Sequence, residues 1–170
     1  MIRKHNLSAP EGLLHCDTVW DVGPGVRPMN WWKPKRHFCV EPHTTYRKHL
    51  KEAGYETLGL TAQEFARRAI AEDKYLEQVV MLDVIEHLTR PDAEQVIHDL
   101  AFQVHKQLVI YTPVGFMEQD GGEEEDPWGL DGQKWQKHRC GFLPDDDIFK
   151  RNGFVTGQKH GKGFFAVLTR

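Results

Sequence analysis

A five-residue stretch, Thr18-Val19-Trp20-Asp21-Val22, runs directly into Gly23-Pro24-Gly25. Its β-branched and aromatic residues favour a strand. The glycines that close it carry no β-carbon, so a ligand can approach the backbone of the turn closely. A second strand fits His37-Phe38-Cys39-Val40-Glu41, closed by Pro42. Glu41 therefore ends a strand about twenty residues beyond the first, where a carboxylate can accept both hydroxyls of a ribose. A glycine turn joined to an acidic strand end at this spacing points to a nucleoside ligand.

Outward from this pair the chain alternates between strands and helices. Met29 to Lys35 is too short, and too broken by Pro34, for a full helix. On the N-terminal side, Ser8-Ala9-Pro10-Glu11 predicts a helix start. On the C-terminal side, Thr44 or Thr45 is expected to cap a helix to Ala53, with Gly54 as its stop. A strand over Glu56 to Leu60 follows, then Thr61-Ala62-Gln63-Glu64, whose spacing is that of a capping box opening a helix to about Ala71. Val79-Val80-Met81-Leu82 reads as a strand covered on both faces. Ala93, Val96, Ile97, Leu100, Ala101 and Val104 recur at helical spacing behind Pro91. Gln107 to Thr112 is the next strand, stopped by Pro113.

The pattern is lost from Val114 to Phe142, a stretch holding Gly121-Gly122, the acidic run Glu123 to Asp126, Trp128 and Trp135. A loop of that length in a compact domain is usually functional. Pro144 to Lys150 predicts one more helix, and Gly153 to Gly157 and Phe164 to Leu168 two last strands. The link His160-Gly161-Lys162-Gly163 suits an antiparallel hairpin. Alternation of this kind argues for one α/β domain over residues 1–170, built on a parallel sheet.

Composition narrows the function classes. The 170 residues suffice for one core, and the net charge of −3 provides no general field for a phosphate backbone. Nucleic acid is therefore not an expected partner. Three widely spaced cysteines without a C-x-x-C pair indicate neither a disulfide framework nor a zinc knuckle, and no metal is expected. The first ten residues carry Arg3, Lys4 and His5 but no apolar stretch of a signal peptide, and no run is long enough to span a bilayer. A cytoplasmic monomer or homodimer away from membranes is the expectation.

The nucleoside can be narrowed too. A dinucleotide fingerprint needs a glycine where Pro28 stands, and no Gly-Lys-Ser/Thr of a phosphate loop is present. Both motifs hold phosphate at a helix N-terminus, and the helix that would do so here is missing or truncated. An adenosine ligand without pyrophosphate, such as S-adenosylmethionine, suits the site better.

With these residues in place, the chain resembles the class I S-adenosylmethionine-dependent methyltransferases over roughly Asp17 to Leu168. Asp21 to Gly25 is similar to their first motif, Glu41 to their ribose-binding acid, and Met81-Leu82-Asp83-Val84-Ile85-Glu86-His87-Leu88 to a sequence of their small-molecule branch at the end of the fourth strand. The resemblance implies a Rossmann-like fold: a mostly parallel seven-stranded sheet, helices on both faces and one antiparallel strand. It also implies that Asp21, Gly23 and Gly25 line the methionine moiety and sulfonium, that Glu41 holds the ribose, and that Thr61 and Ala62 contact adenine. By the same resemblance, Asp83 is expected to begin the wall of the transfer site, with Glu86 and His87 near it. Arg27 stands where the family often has a third glycine, and can pair with the cofactor carboxylate. A narrower resemblance, through Tyr111 to Phe116, Gln119-Asp120 and His138 to Phe142, is to bacterial and phage methyltransferases linked to surface-glycan synthesis.

Other residues carry plainer expectations. The run Glu123 to Asp126 reads as a solvated loop, and the tryptophans as core or lid packing. His87 and His138 are the candidate general bases, since an unperturbed imidazole suits that task. The reaction expected is in-line transfer of a methyl group to oxygen or nitrogen of a small-molecule or saccharide acceptor, with residues 113–142 as the lid. An exocyclic base amine is disfavoured, because Asp83 to Glu86 lacks an Asn/Asp-Pro-Pro-Tyr pattern. The alternatives are an RNA or protein methyltransferase, and a non-catalytic cofactor-binding module that supports a partner.

Overall fold

The computed structural model describes residues 7–118, 126 and 128–170. Seven strands form one sheet in the order β3-β2-β1-β4-β5-β7-β6. They are β1 (Thr18–Val22), β2 (Arg36–Val40), β3 (Glu56–Leu58), β4 (Leu76–Leu82), β5 (Val104–Pro113), β6 (Val155–His160) and β7 (Gly163–Thr169). Only β7 runs against the rest, antiparallel to both β5 and β6. The helices are α1 (Thr44–Glu52), α2 (Ala62–Ala71), α3 (Arg90–Gln103), α4 (Gln133–Gln136) and α5 (Asp147–Arg151), with a 3₁₀ turn at Ile85–His87. No described helix is long and apolar enough to cross a membrane.

Local chemistry accounts for several boundaries. Thr61 accepts the backbone N–H of Glu64, whose carboxylate accepts the N–H of Thr61, so α2 starts where the capping box places it. Thr89 caps α3, and a proline follows within its first turn. Gly54, at φ +91°, ends α1. The start of α1 differs from expectation: His43 is the N-cap, no side chain caps the helix, and Thr44 is already helical. The Thr44 hydroxyl instead accepts a bond from Arg47. Strand β3 stops at Leu58 rather than Leu60, and α5 begins at Asp147 rather than near Pro144.

One face of the sheet packs against α2, α3 and α5 through residues such as Phe65, Ala66, Val96, Ile97, Leu100 and Phe149. Right-handed crossovers place α1 on the opposite face, because the chain steps outward from β2 to β3 and back past β1 to β4. The centre of that face is covered without helices. Met29, Trp31, Trp32, Leu7 and Leu13 lie over Val19, Val80, Val109 and Phe165. The expected helix near Ser8 to Glu11 is absent. Its backbone is held by two buried amides from the sheet: Gln107 Oε1 accepts from Leu14 N, Gln107 Nε2 donates to Gly12 O, and Gln78 Nε2 donates to Leu14 O. Burying those amides requires partners, and the backbone of Gly12 and Leu14 provides them.

Candidate functional site

The carboxyl ends of the parallel strands open into a cleft of about 1640 Å³. Chain connections leave β1 and β4 in opposite directions, so the cleft sits at the switch point of the sheet, where open α/β folds bind ligands. Gly23, Gly25 and Arg27 line it after β1, Glu41 after β2, Thr61, Ala62 and Gln63 after β3, and Asp83, Glu86 and His87 after β4. His138 and Trp128 line it from the long loop. Of the sequence-predicted site residues, only Asp21 is not on the wall. It is 1% exposed, and its Oδ2 accepts from Met29 N at 2.6 Å and meets His37 Nε2 at 3.2 Å. Asp21 therefore shapes the glycine turn from beneath, rather than lining the methionine end of the cleft as the resemblance implies.

Glu41 is held in place by the turn it faces. Its Oε2 accepts the Gly25 N–H at 3.0 Å and its Oε1 the His43 N–H at 2.8 Å. Burial pushes its carboxyl up to about 7, against these two bonds and the nearby Arg47. Arg47, which the sequence did not single out, donates to the carbonyls of Glu41 and Pro42 and so fixes the strand end. Thr61 borders the cleft, but its hydroxyl and N–H are both engaged with Glu64. Ala62 and Gln63 open α2 beside it on the cleft wall, and their N–H groups have no partner inside the helix.

At the other end, Asp83 adopts φ +54°, unusual for a non-glycine residue. Glu86 is 1% exposed, and its Oε2 accepts the Thr112 hydroxyl at 3.0 Å. Burial first, and then the charge of Asp83, raise the Glu86 carboxyl well above the usual range. The rings of His87 and His138 lie 4.9 Å apart, although 50 residues of sequence separate His87 from the Lys137 carbonyl its ring contacts. Burial and the neighbouring His138 push His87 down to about 4, so its imidazole is neutral at physiological pH.

The long loop divides in two. Cys140 and Phe142 belong to the main core, and Gly115 donates to the Phe142 carbonyl. Its C-terminal end is thus framework rather than lid. Met117, Trp128, Lys134, Trp135 and Gln136 line the cleft from this loop. Within the expected acidic run, Asp126 is not merely solvated. It accepts from the Tyr46 hydroxyl at 2.6 Å and from the N–H groups of Trp128, Leu130 and Gly132. Burial opposes its ionisation, but the Tyr46 bond and those N–H groups outweigh it and hold the carboxyl below its ordinary value. Gln119-Asp120, Gly121-Gly122 and Glu123 to Glu125 lie outside the described residues, as do Arg3, Lys4 and His5. Gly25, at φ +59°, lies under the Trp128 indole: a β-carbon there would sit 2.4 Å from the ring.

No protein-family model and no curated protein matches the sequence. Solved structures do share its architecture. A SAM-dependent methyltransferase from Archaeoglobus fulgidus superposes with a TM-score of 0.61 at 13% identity, over 91% of this chain and 86% of that one. Magnesium protoporphyrin IX methyltransferase from Synechocystis PCC 6803, solved with bound SAM, gives 0.58 at 13% identity over 89% and 69%. An O-methyltransferase family protein from Burkholderia thailandensis gives 0.59 at 15% identity over 90% of this chain, which spans only 50% of that larger protein. The chain has the class I methyltransferase fold.

Proposed function

We propose that the protein is an S-adenosylmethionine-dependent methyltransferase acting on a hydroxyl or amine of a small-molecule or saccharide acceptor. The observation that carries this reading is convergence. The glycine turn, the Glu41 carboxylate, the first turn of α2 and the Asp83 to His87 segment leave four different strand ends and line one cleft. The residues present fit the cofactor. Glu41 retains lone pairs for ribose hydroxyls and Arg27 is on the wall for an amino-acid carboxylate. Gly23 and Gly25 hold the turn at positive φ with Val84 and Trp128 packed on them, so the Trp128 indole must move for a ligand to lie over Gly25.

S-adenosylmethionine supplies a methyl group on a sulfonium; its S–C bond breaks as a C–O or C–N bond forms, leaving S-adenosylhomocysteine and a proton from the acceptor. The protein's part is mainly alignment of donor and acceptor. His138 stands at the acceptor end, where its imidazole can take the proton of a hydroxyl; His87 beside it, pushed down to about 4, is the weaker base. Trp128 and Trp135 of the loop line the cleft, where they would exclude water from a bound acceptor.

Calorimetric titration with S-adenosylmethionine and S-adenosylhomocysteine tests the cofactor. Binding in the micromolar range that Glu41→Ala loses is the expected result. A folded protein that binds neither sinks the proposal. Turnover over a mixed panel of saccharides, phenols and amines then separates an enzyme from a cofactor-binding module, for which binding without transfer is the signature.

A further inference from the structure

We infer that Glu86, His87 and His138 form a site for a divalent transition-metal ion at the acceptor end of the cleft. One ligand atom from each of the three lies within 4.8 Å of the others. The two imidazoles are oriented by the backbone. A ring nitrogen that meets a carbonyl oxygen must carry the proton, and His87 Nδ1 meets Lys137 O at 3.2 Å while His138 Nδ1 meets Met117 O at 2.8 Å. In a neutral ring bonded in this way Nε2 carries the lone pair; the His87 ring also meets the Gln136 and Asp83 carbonyls. A histidine whose second nitrogen donates to a carbonyl is the arrangement that supports metal ligation.

Glu86 completes the set. Thr112 donates to its Oε2, while the buried Oε1 meets no donor among the described residues and has the Asp83 carboxyl as a neighbour. Ionising Glu86 at that buried position is costly, and a bound cation would offset the cost. The backbone keeps the ligands together: Arg139 N and Cys140 N both donate to the Glu86 carbonyl, which pins the His138 segment beside Glu86 and His87. Asp21, His37 and Cys39 also come within such reach, but there the Asp21 carboxylate is already bonded to His37.

Two imidazoles with one carboxylate favour zinc, manganese, iron(II) or cobalt over magnesium or calcium, which prefer oxygen ligands. Three protein ligands leave coordination positions for an outside group. Those positions suit an acceptor oxygen, and this part rests on the methyl-transfer reading; ion binding does not. Coordination uses the same Nε2 lone pairs as a general base, so the two roles of the histidines exclude each other.

The test is titration of the chelator-treated full chain with Co²⁺, followed by absorption in the visible range, and competition by Zn²⁺. One equivalent of cobalt should develop d–d bands that zinc abolishes. His138→Ala and Glu86→Gln should each weaken binding at least about tenfold, with near-UV circular dichroism reporting that the variants are folded. Absence of the bands in folded wild-type protein overturns the site, and so does equal binding by wild type and both variants. S-adenosylmethionine titration of the same samples keeps the two readings apart. Cobalt binding without cofactor binding upholds the metal site and removes the methyl-transfer reading; cofactor binding without cobalt does the reverse.

Discussion

Replacing Glu41 with Gln should change the pH dependence of stability in a way that its position dictates. The carboxyl is pushed from 4.5 to about 7 by burial. A raised carboxyl binds its proton more tightly in the folded state than in the unfolded one. Its contribution is therefore fully present below about pH 4.5 and is lost as pH rises through about 7. At roughly 1.4 kcal/mol per tenfold change in proton affinity, the loss amounts to about 3 kcal/mol. Glu41→Gln cannot lose a proton, so it lacks this decline. Its amide NH₂ must face the N–H of Gly25 or His43, which costs about 1–3 kcal/mol, but that cost is independent of pH and cancels when two pH values are compared. Denaturant unfolding of both proteins at about pH 5 and pH 8 measures the difference. Wild type should lose most of those 3 kcal/mol relative to the variant, and parallel curves would refute the reasoning. Ribose hydroxyls donating to Glu41 favour its charged form, so wild-type cofactor affinity should rise over the same interval, and a flat profile removes Glu41 from the ribose site.

Four further outcomes follow from the geometry. Gly25→Ala forces a left-handed alanine under Trp128 and should cost about 1–2 kcal/mol, shift tryptophan fluorescence and abolish cofactor binding; unchanged fluorescence would mean that the indole does not rest there. Arg27→Ala should weaken S-adenosylmethionine binding about tenfold or more, the worth of a charge-assisted bond, and an unchanged isotherm would release Arg27 from that role. Thr61→Ala should lower stability by about 1 kcal/mol through loss of the cap while leaving cofactor affinity intact, since the hydroxyl is committed to Glu64. Tyr46→Phe removes the bond to Asp126 and should speed limited proteolysis between residues 117 and 137; equal cleavage rates would show that this bond does not hold the cover closed.

The amino-acid sequence by itself determined what depends on neighbours in the chain. The strand and glycine turn of residues 18–25, the capping box of α2, the apolar spacing of α3 and the hairpin at Gly161 are short-range patterns, and the structure contains each of them. The parallel sheet also followed from alternation; the seven strands with a single reversed one came through the family resemblance, and the strand order came from the structure. What only the tertiary structure decided involves partners far away in sequence. Ser8 to Glu11 carries helix-start signals, yet no helix follows it, because amides 64 and 93 residues away take the backbone bonds of Leu14. Asp21 turns inward because Met29 N and His37 reach it in the fold. Asp126 becomes an anchor through Tyr46, 80 residues earlier. His87 and His138 become a pair only when the loop returns over β4. A side chain has several polar partners within reach of its composition, and burial selects among them by the cost of leaving any unsatisfied. That selection is made by packing, which no local pattern records.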